Sequence, residues 1–278
     1  MMEYEGNFGM DNTTISINPK LLPSTVEVLI AESEKAEENI ELDTKIAMEV
    51  ASGKRPSTLR LWRDSTDLGI VVSKKDIAGP LGDLAIEKVK DLGYHVYVRQ
   101  TGGTAVPHAR GVLNLSMMFP RSPDSGTTDD YYRILCKPQI DWLHTYGITA
   151  GTGEVPGSYC DGRFNVIVGD KKLVGTAQSW RGGLAGMASR HPGYILAHAC
   201  IMIDVNLEWA IRLINQFYEW TENPYRADAL TSTTLKELAS LTKAEVPVSS
   251  SDAMQEFSMF LLHYFRNMGI ESTLKAGY

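Results

Sequence analysis

The sequence predicts an α+β protein built on a mixed, mainly antiparallel sheet flanked by helices. Three observations point there. Apolar and polar residues alternate in short runs, as at 58–63 and 94–99, the period of half-buried strands. Stretches with helical spacing lie between such runs but do not alternate with them strictly, as a parallel βαβ chain requires. A Gly-Asp pair at 169–170 separates two apolar runs closely enough to turn a hairpin.

Taken in order, residues 1–22 are polar and end among Pro19 and Pro23, which predicts a flexible leader. Ser24 or Thr25 can cap a helix over 26–41, with Leu29, Ile30 and Ala31 on its apolar face. A second helix over 43–52 is closed by Gly53 and stopped by Pro56. Strands are expected at 58–63 and 69–73, then a helix over 81–92 ending at Gly93, then a strand at 94–99. Gly102 and Gly103 make a turn, and a strand resumes over 111–119. A loop leads to a helix over 131–145, and the hairpin joins strands 164–168 and 172–177. A strand-like run over 194–205 precedes an amphipathic helix at 207–219, where Trp209, Phe217 and Trp220 face the core. Two helices, 231–245 and 251–268, close the chain. This order divides into the leader 1–22, a main domain over 23–225, and a small helical extension over 226–278 packed on it.

With 278 residues, 43% of them apolar and 22% charged, the chain can bury a sizeable core. Its net charge of −7 disfavours sequence-independent binding to nucleic acid, which works through phosphate neutralisation. Three widely spaced cysteines make neither a disulfide framework nor a structural zinc site. The first residues lack a secretory signal, and the longest apolar runs are too short to span a bilayer. A cytoplasmic protein with no membrane partner is therefore expected.

Three constellations could carry chemistry. Arg99 stands at a strand end, followed by Gly102, Gly103 and His108. Two glycines let the backbone approach a ligand, and the arginine can reach an anion. The plainer alternative is a hairpin turn with a solvated arginine and a packed histidine. The run Gly-Ser-Tyr-Cys-Asp-Gly at 157–162 puts Cys160 between glycines, which reads as an exposed loop thiol and a candidate nucleophile. Cys136 and Cys200, in a helix and an apolar run, read as core thiols. In the hairpin, Lys171 and Lys172 face opposite sides of their strand, so Lys172 can aim inward where Lys171 is solvated. A lysine beside a cysteine stabilises its thiolate and can protonate a leaving group.

Together these segments resemble the biotin/lipoate protein ligase superfamily over roughly residues 40–220. The stretch from Arg99 to Ser116 is similar to the Arg-x-x-Gly-Gly motif and the following Gly-x-Leu-Asn-x-Ser strand of its lipoate-attachment branch. The stretch from Gly169 to Gln178 is similar to the Gly-x-Lys-Lys-x-x-Gly-x-x-Gln signature, whose shared lysine maps to Lys172. The Gly-Ser-Tyr-Cys run, twelve positions before that lysine, resembles the cysteine-dependent octanoyltransferases, above all those that take the octanoyl group from glycine-cleavage H protein.

The resemblance implies the biotin-ligase-like core, related to class II aminoacyl-tRNA synthetases, and acyl transfer through a Cys160 thioester with Lys172 as the proton-exchanging partner. It also implies substrate binding by Arg99, Gly102, Gly103, His108, Asn114 and Gly175, with the Val106 region and the Leu113–Leu115 strand lining the acyl tunnel. Neither metal nor nucleotide cofactor is called for. The donor would be octanoylated H protein or acyl carrier protein. The acceptor would be a lipoyl domain of a 2-oxoacid dehydrogenase E2 subunit, and the enzyme itself a monomer. Three alternatives remain open: the transferase that takes octanoyl from acyl carrier protein, an ATP-dependent lipoate ligase, and a non-catalytic binder of lipoyl domains. Gln100 and Thr104 replace an arginine and a glycine usual in the ATP-using ligases, which weighs against adenylation. Asp161 would oppose a Cys160 thiolate if its carboxylate pointed at the sulfur. No acyl-pocket residue is assigned within 179–193.

Overall fold

The computed structural model of the chain describes residues 15–183, 193–243 and 245–278. Eight strands form its main sheet. In spatial order they are Glu271–Ala276 (β11), Thr25–Ile30 (β1), Ser57–Arg63 (β2), Val112–Pro120 (β6), Tyr194–Met202 (β10), Lys171–Arg181 (β9), Asn165–Val168 (β8) and Gly151–Gly153 (β7). β1 runs parallel to both its neighbours, and every other adjacent pair is antiparallel. A second sheet sets His95–Arg99 (β4) parallel and Val106–His108 (β5) antiparallel to Gly69–Ser73 (β3).

Side chains alternate across a sheet, so each face of the main sheet buries a different set of helices. On one face Leu113, Leu115 and Met117 of β6 and Ile195 and Ala197 of β10 pack with Thr128–Thr145 (α3) and Ser250–Asn267 (α6) in the largest core cluster. On the other, Met118 and Leu196 meet Ile46, Ala47 and Val50 of Ala36–Ala51 (α1). The small sheet is covered by Gly82–Asp91 (α2) and Leu207–Trp220 (α4) through Ile70, Val72, Val89, Ile214 and Phe217. A short helix, Leu235–Thr242 (α5), precedes α6. Among the described residues no helix is long and apolar enough to cross a membrane.

The helix expected over 26–41 does not form. Residues 25–30 are β1, paired on both sides and buried along its middle, and a single helix covers 36–51 where a break had been expected near 42. Locally, Ser24 or Thr25 followed by Val-Glu-Val-Leu-Ile-Ala suits a capped helix; pairing with β2 and β11 on its two sides decides for a strand. β5, β7 and β11 were not expected either. β5 and β7 are three residues each, and β5 contains Pro107, tolerated because it lies at a sheet edge.

Residues 226–278 are not helical throughout: α5 and α6 lie there, but the chain ends in β11, which joins the main sheet beside β1. Of the leader expected over 1–22, residues 1–14 lie outside the described residues. From 15 onward the chain is held: Ile15, Ile17, Leu21 and Leu22 pack on the main core, and the Asn18 side chain accepts from the Lys20 N–H.

Candidate active site

The space between α1, the α1-facing residues of β2, β6, β9 and β10, and the small sheet forms one pocket. Its position follows from two periodicities. The face of β6 and β10 away from the main core carries Asn114, Leu196, His198 and Cys200 into it. The helical repeat of α1 brings Ala36, Ile40, Asp43 and Thr44 to the opposite wall. The end of β4 adds Arg99, the connection after it Thr101, the strand β5 Val106 and His108, and the loop before β8 Cys160.

Cys160 is 9% exposed and packs with the small-sheet core, so the loop thiol is buried rather than solvent-exposed as expected. Its φ is +47°, a left-handed conformation that a side chain with a Cβ disfavours and that occurs with special frequency at functional positions. Gly103 fits against it. A Cβ at Gly103 would stand 2.7 Å from Cys160 Sγ and 3.0 Å from Arg99 Nη2, and its φ of +98° also calls for glycine. Gly102, by contrast, has open space where a Cβ would stand.

Lys172 is fully buried while Lys171 is half-exposed. The Lys172 Nζ donates to the Cys160 carbonyl at 2.8 Å and to the Tyr159 carbonyl, and sits 4.1 Å from the centre of the Tyr159 ring. Burial lowers its pKa from 10.5 to about 8; the charges of Cys160 and Asp161 oppose the fall and that of Arg99 assists it. Gly175 leaves the room this side chain needs, since a Cβ there would lie 3.3 Å from both Cε and Nζ. Asp161 does not point at the sulfur. Its Oδ1 accepts from the Val155 and Gly162 N–H groups, each at 2.9 Å, and so ties the loop to itself.

Arg99 spends its donors on backbone. It donates to the carbonyls of Val71 (2.9 Å), Gly102 (3.0 Å) and Thr104 (2.7 Å), which moulds the Gly-Gly turn around the guanidinium. The remaining residues form a buried polar seam along the pocket wall. Asn114 Nδ2 donates to Asp64 at 2.8 Å, and Asp64 lies 3.2 Å from His108 Nδ1, whose Nε2 is 2.9 Å from Ser65 Oγ. The Cys200 thiol donates to Asn114 Oδ1 at 3.1 Å, and His198 contacts both Cys200 Sγ (3.2 Å) and Ser116 Oγ (2.9 Å). Ser116 donates to Asp43 at 2.6 Å, and Asp43 is paired with the fully buried Arg60. Burial pushes the His198 pKa down, against the pull of Asp43, and drives the Cys200 thiol well up, so both favour their neutral forms.

The structure thus brings Cys160, Arg99, His108, Asn114 and Gly175 to one pocket, with Lys172 immediately behind the cysteine loop and Gly103 against its sulfur. Leu113 and Leu115 are not there: strand alternation turns them into the main core and gives the pocket Asn114 instead. Cys200 also departs from its expected core role by facing the pocket. Asp43, Asp64 and His198 had no place in the sequence reading. The alternation of Leu196, His198 and Cys200 on one face of β10 was a usable signal; the carboxylates were not distinguishable from solvated ones. Positions 184–192, within the unassigned 179–193 stretch, lie outside the described residues. Among the described residues no cluster of three or more His, Cys, Asp or Glu could hold a metal ion.

Residues 35–266 match the lipoyl protein ligase A/B catalytic domain. Over 198 residues the chain is 43% identical to the octanoyl-[GcvH]:protein N-octanoyltransferase of Kyrpidia tusciae, covering 69% of this chain and 68% of the relative. It is 31% identical over 187 residues to the protein of the same name from Geobacillus kaustophilus, covering 66% of this chain and 61% of that one. In three dimensions it resembles the crystal structure of lipoate-protein ligase A bound with ATP, with a TM-score of 0.66, 19% identity, and coverage of 92% of this chain and 89% of that one.

Proposed function

Because the chain belongs to the lipoyl protein ligase A/B catalytic-domain family, we propose that it is an octanoyl (or lipoyl) transferase working from one protein to another through a Cys160 thioester. The observation that carries this reading is the Lys172 Nζ held 2.8 Å from the Cys160 carbonyl, behind a thiol that lines a pocket. The names of the relatives support octanoylated GcvH as donor and a protein as acceptor.

In the first half, the Cys160 thiolate attacks the amide carbonyl of the donor's octanoyl-lysine. The C–N bond breaks, Lys172 gives its proton to the departing amine, and the octanoyl thioester remains on Cys160. In the second half, the amine of the acceptor lysine attacks that thioester. The C–S bond breaks, the new amide's proton passes to the neutral Lys172, and the thiolate is restored. A lysine that titrates near 8 can serve in both directions. The acceptor would be an E2 lipoyl domain. The Asp161 carboxylate, turned into its own loop, leaves the sulfur free of a facing negative charge. The three thiols are unpaired, which suits a reducing cytoplasm.

Intact-protein mass spectrometry after mixing with octanoylated GcvH, without ATP, tests the reading. An octanoyl adduct is expected on the wild type and not on Cys160→Ala, and it should be discharged by an apo lipoyl domain. Acylation by octanoyl-acyl carrier protein alone would reassign the donor. Modification of the lipoyl domain only when ATP and free acid are added would replace transfer by ligation.

A further inference from the structure

Cys160 holds a left-handed backbone conformation in a loop with no regular structure of its own, and beyond Lys172 and the loop's own Asp161 it needs further contacts to fix it. The segment after α4 supplies them. The Tyr225 hydroxyl donates to the Ser158 carbonyl, two residues before the cysteine, and the Asp228 N–H donates to the Gly157 carbonyl at 2.8 Å. The Tyr225 ring meets the edge of Tyr218 with centroids 5.3 Å apart and an interplanar angle of 71°. Tyr218 reaches the other side of the sulfur: its hydroxyl accepts from the Ala105 N–H at 2.6 Å, just beyond the Gly-Gly turn, and donates to Asp76 at 3.0 Å. Asn215 fastens the same segment to α4 through two bonds with the Ala227 backbone, both 2.8 Å.

We propose that Tyr225 is a positioning residue for the transfer reaction, clamping the cysteine loop, with Tyr218, against the turn that carries Gly103. This rests on the nucleophilic role proposed for Cys160. The clearance between the sulfur and Gly103 is too small for a methyl group, so a slack loop displaces the thiol from the carbonyl it must attack. Surroundings of the hydroxyl agree with this placement. Burial raises the Tyr225 pKa, Thr104 and the Cys160 backbone hold it back, and the Cys160 charge adds to the rise. The bond to a backbone carbonyl is a function of the hydroxyl alone, whereas the packing on Tyr218 is a function of the ring. The two can be separated.

Tyr225→Phe keeps the ring and removes the bond. Two rates are measured by mass spectrometry: octanoylation of Cys160 by octanoylated GcvH, and its alkylation by iodoacetamide. The clamp predicts octanoylation slower by about tenfold or more with an unchanged donor KM, since small misplacements cost that much. It predicts alkylation faster than in the wild type, because a released loop exposes a thiol now 9% exposed. Asn215→Ala, which loosens the same segment from a distance, should shift both rates in the same directions. Wild-type rates in Tyr225→Phe would overturn the proposal, as would a loss of octanoylation accompanied by general unfolding. If wild-type Cys160 takes no octanoyl group but alkylates more slowly than in Tyr225→Phe, the clamp stands and the transfer reading falls.

Discussion

Lys172 combines full burial, two backbone carbonyls and an aromatic face around one ammonium, and the cost of burial brings its pKa to about 8. Acylation from an amide donor consumes the Lys172 proton, so its rate should fall as pH rises through about 8, and single-turnover octanoylation across that range reads this directly. A rate that stays level to pH 9 would remove Lys172 as the acid. The same shift has a stability consequence. Between about 8 and the ordinary 10.5 the unfolded chain holds a proton that the folded chain sheds, so wild-type stability should rise with pH in that window relative to Lys172→Met. Denaturant melts of the two proteins at pH 7, 9 and 10.5 give the difference. At this scale the sequence singled out Cys160, Lys172 and Gly103 by type and spacing, and the fold brings them together. It misjudged the exposure of Cys160, because partners that hold the loop lie about seventy residues further along the chain.

The elements that frame the pocket are set by local signals of uneven strength. α3 begins with a capping box in which the Thr127 side chain accepts from the Asp130 N–H and Asp130 returns the bond. The helix then reaches β9, since its Thr128 carbonyl accepts from Gln178 Nε2 at 2.8 Å. Thr127→Ala should lower stability by about 1 kcal/mol with a normal urea m-value, and a loss below a few tenths would deny the cap that role. The Thr127 backbone and hydroxyl together hold the Asp130 pKa below its ordinary 3.8, so this contribution is present above that value and fades as pH falls through the lowered one. Strands were legible even where both faces are enclosed, as in β2 and β6. β1 was misread because Ser24 or Thr25 followed by an apolar run also fits a capped helix, and β6 was read correctly as a strand, with Asn114 in the pocket but Leu113 and Leu115 in the main core. Alternation fixes that Leu113 and Asn114 oppose each other, not which of them meets the ligand.

Over the whole molecule, the first strand, β1, is joined to the last, β11. Glu27 of β1 is almost fully buried and is paired with Arg55 and with Lys275 of β11. Tyr278 donates to Glu49 at 2.6 Å, and the buried Ile270 leads into β11. Deleting residues 269–278 should therefore do more than trim a terminus. It removes one partner of a buried carboxylate, uncovers the edge of β1, and should cost about 3 kcal/mol or more, with aggregation during thermal melts. A truncated chain that melts like the full one would mean that β11 is dispensable.

By itself, the sequence determined the α+β class, the hairpin that presents Lys172, the glycine turn and the family resemblance. Each of these depends on residues close together in the chain or on a fixed motif. Only the tertiary structure decided that β11 completes the sheet, that Arg99 moulds its own loop, and that His198, Cys200, Asn114 and Asp64 form a seam along the pocket. The bonds of that seam cross between strands and loops 50 and 86 positions apart, and local pattern carries no record of which distant partner a polar side chain will meet.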